Sequence, residues 1–326
     1  MPILCADIGG TNARVAIVED LQVKLIRVYP TADVPGLPTL LERFAKDTGI
    51  KLPKYFALAA AGVMTDGRIK GTNIPWDIDC REIQQELSPQ QCIVLNDFEA
   101  AAWGLLAIGE EMLVKIGGAE PIAFGTKAIL GAGTGLGEAI VVHCQQTWQV
   151  LRTEGGHTSY SPRDETGLAL LAHLMKTYGH VSFERLLSGS GLVEIYRFLA
   201  QDHPERLERL ASYSLRQQPA HITTLAQDGD VVACRAVDFF LETYGEEASN
   251  LALKCLPLGG VYLTGGVTLH LLDFLLKSRF RACFEDKGRM KELLMEIPVF
   301  LVKEPLLGII GAAYRLGNMN LPLKNK

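Results

Sequence analysis

The chain has 326 residues, 48% hydrophobic and 21% charged, which is more chain than one core commonly supports and enough apolar side chains for two. Its 32 Lys and Arg stand against 37 Asp and Glu, a formal charge of -5 with no basic block, which disfavours a nucleic-acid or acidic-lipid surface. The seven cysteines (5, 80, 92, 144, 234, 255 and 283) are scattered and never form a Cys-x-x-Cys pair, which argues against a disulfide framework or zinc cluster and fits a reducing cytoplasm. Met1 to Asp7 has no basic stretch, and the longest apolar run, Tyr55 to Met64, is too short for a bilayer, so neither export nor membrane insertion is expected.

Ile3 to Ala6 reads as a strand ended by Asp7 and a Gly-Gly turn, with a second strand from Ala13 to Val18 and a third from Gln22 to Tyr29. A helix over Leu37 to Ala45, a buried strand over Tyr55 to Ala61, and a strand from Cys92 to Leu95 leading into helix Phe98 to Ala107 complete one mixed α/β lobe. The strand, glycine turn and strand then recur over Ala128 to Val142, which suggests a doubled lobe. Helical patterns follow at Thr166 to Tyr178 and Val232 to Leu256, on either side of a polar, charge-rich stretch from Gln201 to Gln218. Gly260 to Thr264 reads as a strand running into Gly265-Gly266, Pro298 to Val302 as another, and Leu306 to Leu316 as a helix. Doubling implies that this last helix packs back on the first lobe, which is otherwise one helix short.

The turn Asp7-Ile-Gly9-Gly10-Thr11-Asn12 has two readings: an ordinary hairpin, or a backbone cradle in which main-chain N–H groups and the Thr11 hydroxyl face a phosphate. Asp7, at a strand end, is placed to meet Mg²⁺ through water. In Gly131-Ala-Gly133-Thr134-Gly135-Leu-Gly137, glycine at alternate positions clears one face for a polyphosphate, while the dinucleotide and P-loop patterns are both broken.

Asn96-Asp97 sits where a buried strand meets a helix, fit for either a helix cap or a carboxylate reaching into a cleft. Glu154-Gly-Gly-His157 puts a carboxylate and an imidazole on one glycine-softened loop, suited to gripping hydroxyls and unsuited to helical metal ligation. Glu184 is either a third hydroxyl acceptor or an exposed helix charge. Leu263 to Val267 is either a plain β-to-α connection or a backbone surface for adenine or ribose.

Motifs with a common family signature stand in order along the chain. They are Asp7-Ile-Gly-Gly-Thr-Asn-Ala-Arg14, Thr72-Asn-x-x-Trp76, Asn96-Asp-Phe98, Gly117-Gly-Ala-Glu-Pro121, Gly131-Ala-Gly-Thr-Gly-Leu-Gly137, Glu154-Gly-Gly-His157, His180-Val-Ser-x-Glu184-Arg, Phe284-Glu-Asp-Lys-Gly-Arg289 and Leu307-Gly-x-x-Gly-Ala312. Together they resemble the bacterial glucokinase family, from Ile3 to about Gly317. The resemblance implies a two-lobed, actin-like (ribonuclease H-like) ATPase fold of the hexokinase type. Each lobe is then a mixed sheet flanked by helices, with the active site in the interlobe cleft. Residues 1–107 with about 303–326 would form the small α/β domain and about 108–302 the large one.

The implied activity is phosphorylation of glucose to glucose 6-phosphate by Mg²⁺-ATP in a cytoplasmic homodimer, with no nucleic-acid or membrane partner. Asn96, Asp97, Glu154, His157 and Glu184 become the sugar contacts, and Asp97 also the general base on the 6-hydroxyl. Asp7, Gly9, Gly10, Thr11, Asn12, Gly131, Gly133, Thr134, Gly135, Gly265 and Gly266 become the ATP site, with Asp7 facing the metal. The sequence assigns no role to Phe284 to Arg289. The related sugar-kinase and repressor family fits less well, because no Cys cluster follows the Glu-Gly-Gly-His segment and no DNA-binding extension precedes Ile3. Two alternatives stand beside this reading: a kinase of another hexose or amino sugar, and a non-catalytic actin-like sugar sensor or assembly ATPase.

Overall fold

The computed structural model describes residues 1–65, 68–71 and 74–319. Thr72 and Asn73 of the Thr-Asn-x-x-Trp motif lie outside the described residues. The chain forms two compact units, one from residues 1–110, 150–152 and 304 onward, the other from 111–149 and 153–303. No helix among the described residues is long and apolar enough to cross a membrane.

In the first unit, β1 (Ile3–Ile8), β2 (Asn12–Glu19), β3 (Gln22–Pro30), β4 (Tyr55–Ala60) and β8 (Gln91–Asn96) form a sheet in the order β3-β2-β1-β4-β8. Between β4 and β8 in sequence, β5 (Gly62–Thr65), β6 (Arg68–Gly71) and β7 (Ile78–Asp79) make a small sheet that the sequence pattern did not reveal. The central strand β1 is apolar and buried almost throughout, whereas the edge strand β3 is largely exposed and carries Lys24 and Arg27, which blunts the open edge. Helix Leu37–Thr48 buries Leu37, Leu40, Leu41 and Phe44, a helical stripe of i, i+3, i+4 and i+7.

Strands β1 and β4 run parallel, as do β4 and β8, with Ile8 opposite Ala60 and Ala60 opposite Asn96. Their carboxyl ends therefore stand abreast. Helix Asp97–Gly104 leaves from the end of β8, and helix Leu307–Met319 lies across it and on β1 and β4. The two helices approach so closely that a Cβ on Gly311 would fall 1.8 Å from the Ala100 carbonyl oxygen and 2.4 Å from the Gly104 nitrogen.

The second unit has a sheet in the order β12-β11-β10-β13-β14-β9, from β9 (Leu113–Gly117), β10 (Lys127–Ala132), β11 (Leu136–Cys144), β12 (Thr147–Arg152), β13 (Val261–Thr264) and β14 (Val299–Val302). Strands β10 and β11 are antiparallel while β10, β13 and β14 run parallel, repeating the β1, β2, β4 and β8 arrangement. The core is organised on helix Val231–Cys255. Its buried Tyr244 hydroxyl donates to the Leu130 carbonyl at 3.1 Å and receives a bond from Thr268 Oγ1 at 3.2 Å, so a polar group inside an apolar core is satisfied and ties β10 to the segment after β13. The charge-rich stretch from Gln201 to Gln218 contains helix Pro204–Ala211, which buries Leu210 and turns its charges outward.

Gly311→Ala is expected to lower unfolding free energy by about 3 kcal/mol, because the new methyl group meets backbone that cannot yield without separating the helices. Urea denaturation measures it.

Candidate functional site

In the first unit, β1 ends at Asp7-Ile8 and the chain reverses through Gly9, Gly10 and Thr11 into β2. The turn is closed by the Gly9 amide donating to the Asn12 carbonyl at 3.0 Å. A residue that sequence reasoning passed over fixes it: Thr31, fully buried, donates from Oγ1 to the Gly9 carbonyl at 2.7 Å and from its amide to the Thr11 carbonyl at 3.0 Å. The hint in the sequence was a threonine directly after a strand that ends in proline. Pinned in this way, the turn does not have to be ordered when a ligand arrives.

Asp7 is half-buried and pairs with Arg14 Nη1 at 3.2 Å. Burial raises its pKa above the ordinary carboxylate value, and the Arg14 charge and hydrogen bond oppose that rise. One carboxylate at a strand end suits a magnesium ion that takes most of its ligands from phosphates and water.

At the end of β8, helix capping falls to Asn96 and not to Asp97. Asn96 Oδ1 accepts from the Phe98 amide at 2.9 Å and the Glu99 amide at 3.2 Å, and its Nδ2 donates to the Gly62 carbonyl at 3.1 Å. Asp97 is the first helical residue, and its Oδ1 accepts from the Phe98 amide at 2.9 Å. A side chain at position 308 would come within 4.0 Å of both the Asp7 carboxyl carbon and the Asp97 carbonyl oxygen. The parallel register thus brings Asp7, the glycine turn and Asn96-Asp97 to one end of one sheet.

In the second unit, β10 and β11 are joined through Gly133, Thr134 and Gly135. Gly133 donates to the Gly135 carbonyl at 2.8 Å, and its own carbonyl accepts from the Gly189 amide at 2.9 Å. Glu184 reaches this turn: its Oε2 accepts from the Leu136 amide at 3.0 Å and fills the space where a Gly135 side chain would stand. A side chain at position 135 would displace that carboxylate.

Glu184 Oε1 lies 3.8 Å from His157 Nδ1, and His157 Nε2 lies 3.9 Å from Glu154 Oε2. Both gaps exceed a hydrogen bond, so the three groups form a row whose polar atoms remain available for hydroxyls. The row is set by a pairing of two segments: the Phe183 amide donates to the Thr158 carbonyl at 3.0 Å, and the Tyr160 amide to the Val181 carbonyl at 2.9 Å. Glu184 is therefore part of a shaped surface with His157, not a helix charge facing solvent. Gly265 and Gly266 open the short helix Gly266–His270 directly after β13, beside β10 in the sheet.

Phe284 to Arg289 also gains a physical account. Phe284 is fully buried in the core. Asp286 pairs with Arg163, which also meets the buried Glu246 at 3.3 Å, and Lys287 Nζ donates to Asn250 Oδ1 at 2.7 Å. The motif clamps helix Val231–Cys255 to the chain that follows Glu154–His157.

The glucokinase family model matches residues 4–319. A glucokinase of Chromohalobacter salexigens is 39% identical over 319 residues, covering 97% of this chain and 98% of that one. The crystal structure of glucokinase from an Antarctic psychrotroph superposes with a TM-score of 0.80 at 31% identity, covering 97% of this chain and 99% of the other. A ROK family glucokinase from Streptomyces griseus, solved in complex with glucose and AMPPNP, shares the fold with a TM-score of 0.68 at 22% identity, over 96% and 98% of the two chains.

Asn96→Ala is expected to cost at least about 1 kcal/mol of stability by urea denaturation, since it removes a helix cap and the tie to Gly62 together.

Proposed function

Because the chain belongs to the glucokinase family, we propose that it transfers the γ-phosphate of ATP to the 6-hydroxyl of glucose, with Asp97 receiving the hydroxyl proton. The full-length family match carries this reading. Asn96, Glu154, His157 and Glu184 hold the sugar: carboxylates accept from hydroxyls, and an imidazole can do either. The turns at Gly9–Asn12 and Gly131–Gly135 offer backbone to the phosphates, and Gly265-Gly266 borders the adenosine. Asp7 would hold, through water, the Mg²⁺ that accompanies ATP, and that ion would neutralise charge developing on the phosphates.

Phosphoryl transfer through a loose transition state asks for alignment and charge stabilisation more than for covalent help. The nucleophile's proton moves late in such a reaction, so an aspartate of ordinary basicity suffices if it stands beside the hydroxyl. The structure supports this use of Asp97 because Asn96 already satisfies the helix amides. The carboxylate is then not required for capping. Seven free cysteines accord with a reducing, cytoplasmic setting.

A coupled ADP assay over glucose, mannose, fructose and N-acetylglucosamine tests the substrate, with glucose expected to give the highest kcat/KM. Activity with none of them, or a clear preference for another sugar, would sink the assignment. Asp97→Asn is expected to lower kcat by about 10²-fold or more while glucose KM changes far less. Near-normal turnover would remove Asp97 from the role.

A further inference from the structure

Directly beneath the Glu154–His157 loop lies a buried acid that neither the sequence motifs nor the proposed reaction uses. Glu138, on β11, is 2% exposed. Its Oε2 occupies the space beside Gly155, only 1.9 Å from where a Cβ would be built. Its carbonyl accepts from Thr153 Oγ1 at 3.1 Å, and the same hydroxyl accepts from the Gly155 amide at 3.2 Å. The loop is thus seated on Glu138 through both side chain and main chain.

Behind Glu138 stands a second buried acid, Glu247 of helix Val231–Cys255, with no exposure at all. The two carboxyl groups lie near enough to act on one another's ionisation. Glu247 Oε2 accepts from Asn250 Nδ2 at 2.8 Å, and Asn250 Oδ1 accepts from Lys287 Nζ at 2.7 Å. Hydrogen bonds therefore run from Lys287, in the motif whose role the sequence left open, through Asn250 to Glu247, and Glu138 stands between that buried acid and Gly155. A loop made of Gly155 and Gly156 has little stiffness of its own, so the spacing of Glu154 and His157 has to come from what supports it.

We propose that Glu138, backed by Glu247, Asn250 and Lys287, is a positioning residue that sets the Glu154–His157 loop for sugar binding. This inference rests on the assignment of that loop to the sugar.

Glu138 Oε1 and Glu247 Oε1 are both buried without a hydrogen-bond partner among the described residues. Two carboxylates buried side by side cannot both ionise without strong repulsion, and one proton held by the pair relieves it. Burial first, and then the neighbouring Glu247, pushes the Glu138 pKa up to about 8. The other titratable groups near the pair are Lys254, which favours ionisation, and Tyr244 and Cys255, all on the same helix, with Lys287 acting on Glu247. Because the folded pKa lies above the ordinary value, the support is complete at low pH and is lost as pH rises through about 8.

The test is calorimetric binding of glucose and of an ATP analogue to the full chain, at about pH 7 and about pH 9, with ADP release measured in parallel. Glu138→Ala is expected to weaken glucose binding about tenfold and leave nucleotide binding within about twofold. Glu138→Gln keeps a donor toward Glu247 and is expected to bind glucose within about twofold of the wild type, without the wild type's alkaline weakening. Unchanged glucose affinity in Glu138→Ala overturns the proposal, as does an alkaline loss that persists in Glu138→Gln or never occurs in the wild type. If Glu138→Ala does not fold, the Glu138→Gln profile decides alone. A wild type that binds no glucose and releases no ADP overturns the functional reading itself. A wild type that does both beside an indifferent Glu138→Ala overturns only this inference.

Discussion

Parallel strands β1, β4 and β8 end level with one another, and what the first unit contributes depends on that register. Side chains at the carboxyl ends of parallel strands, and the turns that follow, collect at one end of a sheet. Ile8, Ala60 and Asn96 stand abreast, so a glycine turn about 85 residues before Asp97 in sequence leaves the same sheet end. A slip of one residue would turn each candidate side chain to the opposite face. The close crossing of helices Asp97–Gly104 and Leu307–Met319 at Gly311 fixes the helix that carries Asp97.

In the second unit, acidic side chains are held directly against glycine backbone. Glycines clear the space, and carboxylates occupy it: Glu184 against Gly135 and Glu138 against Gly155. Glu184 spends one oxygen on the Leu136 amide and turns the other toward His157. A side chain anchored through one oxygen has less rotamer freedom left to lose when the other is engaged. Arg163, Glu246, Asp286 and Lys287 extend the same support to the chain behind the loop.

Membership of the glucokinase family and the α/β, actin-like ATPase fold were legible in the sequence, because glycine turns, strand-end acids and apolar runs are local signals. The helix read from Val232 to Leu256 runs from Val231 to Cys255, since a long 3.6-residue pattern with an Asp cap fixes its own ends. The small sheet of β5, β6 and β7 and the edge strands β9 and β12 were not legible. They are short or half-exposed and lack a clean apolar alternation, and β9 is defined by β14, far along the chain. Helix Pro204–Ala211 was hidden for another reason: its many charges mask the one leucine that it buries, Leu210.

By itself, the sequence determined the family, through motifs that stand in order along the chain, and so which residues are candidates for the chemistry: Asp97, Glu154, His157 and Glu184. Only the tertiary structure decided how each is held. It gave the helix cap to Asn96, the glycine turn to Thr31 and the underside of Gly155 to Glu138. It also joined Lys287, 149 positions later, to that same support. The physical reason is that a buried polar group must find a partner wherever the fold supplies one, and sequence separation carries no information about where that will be.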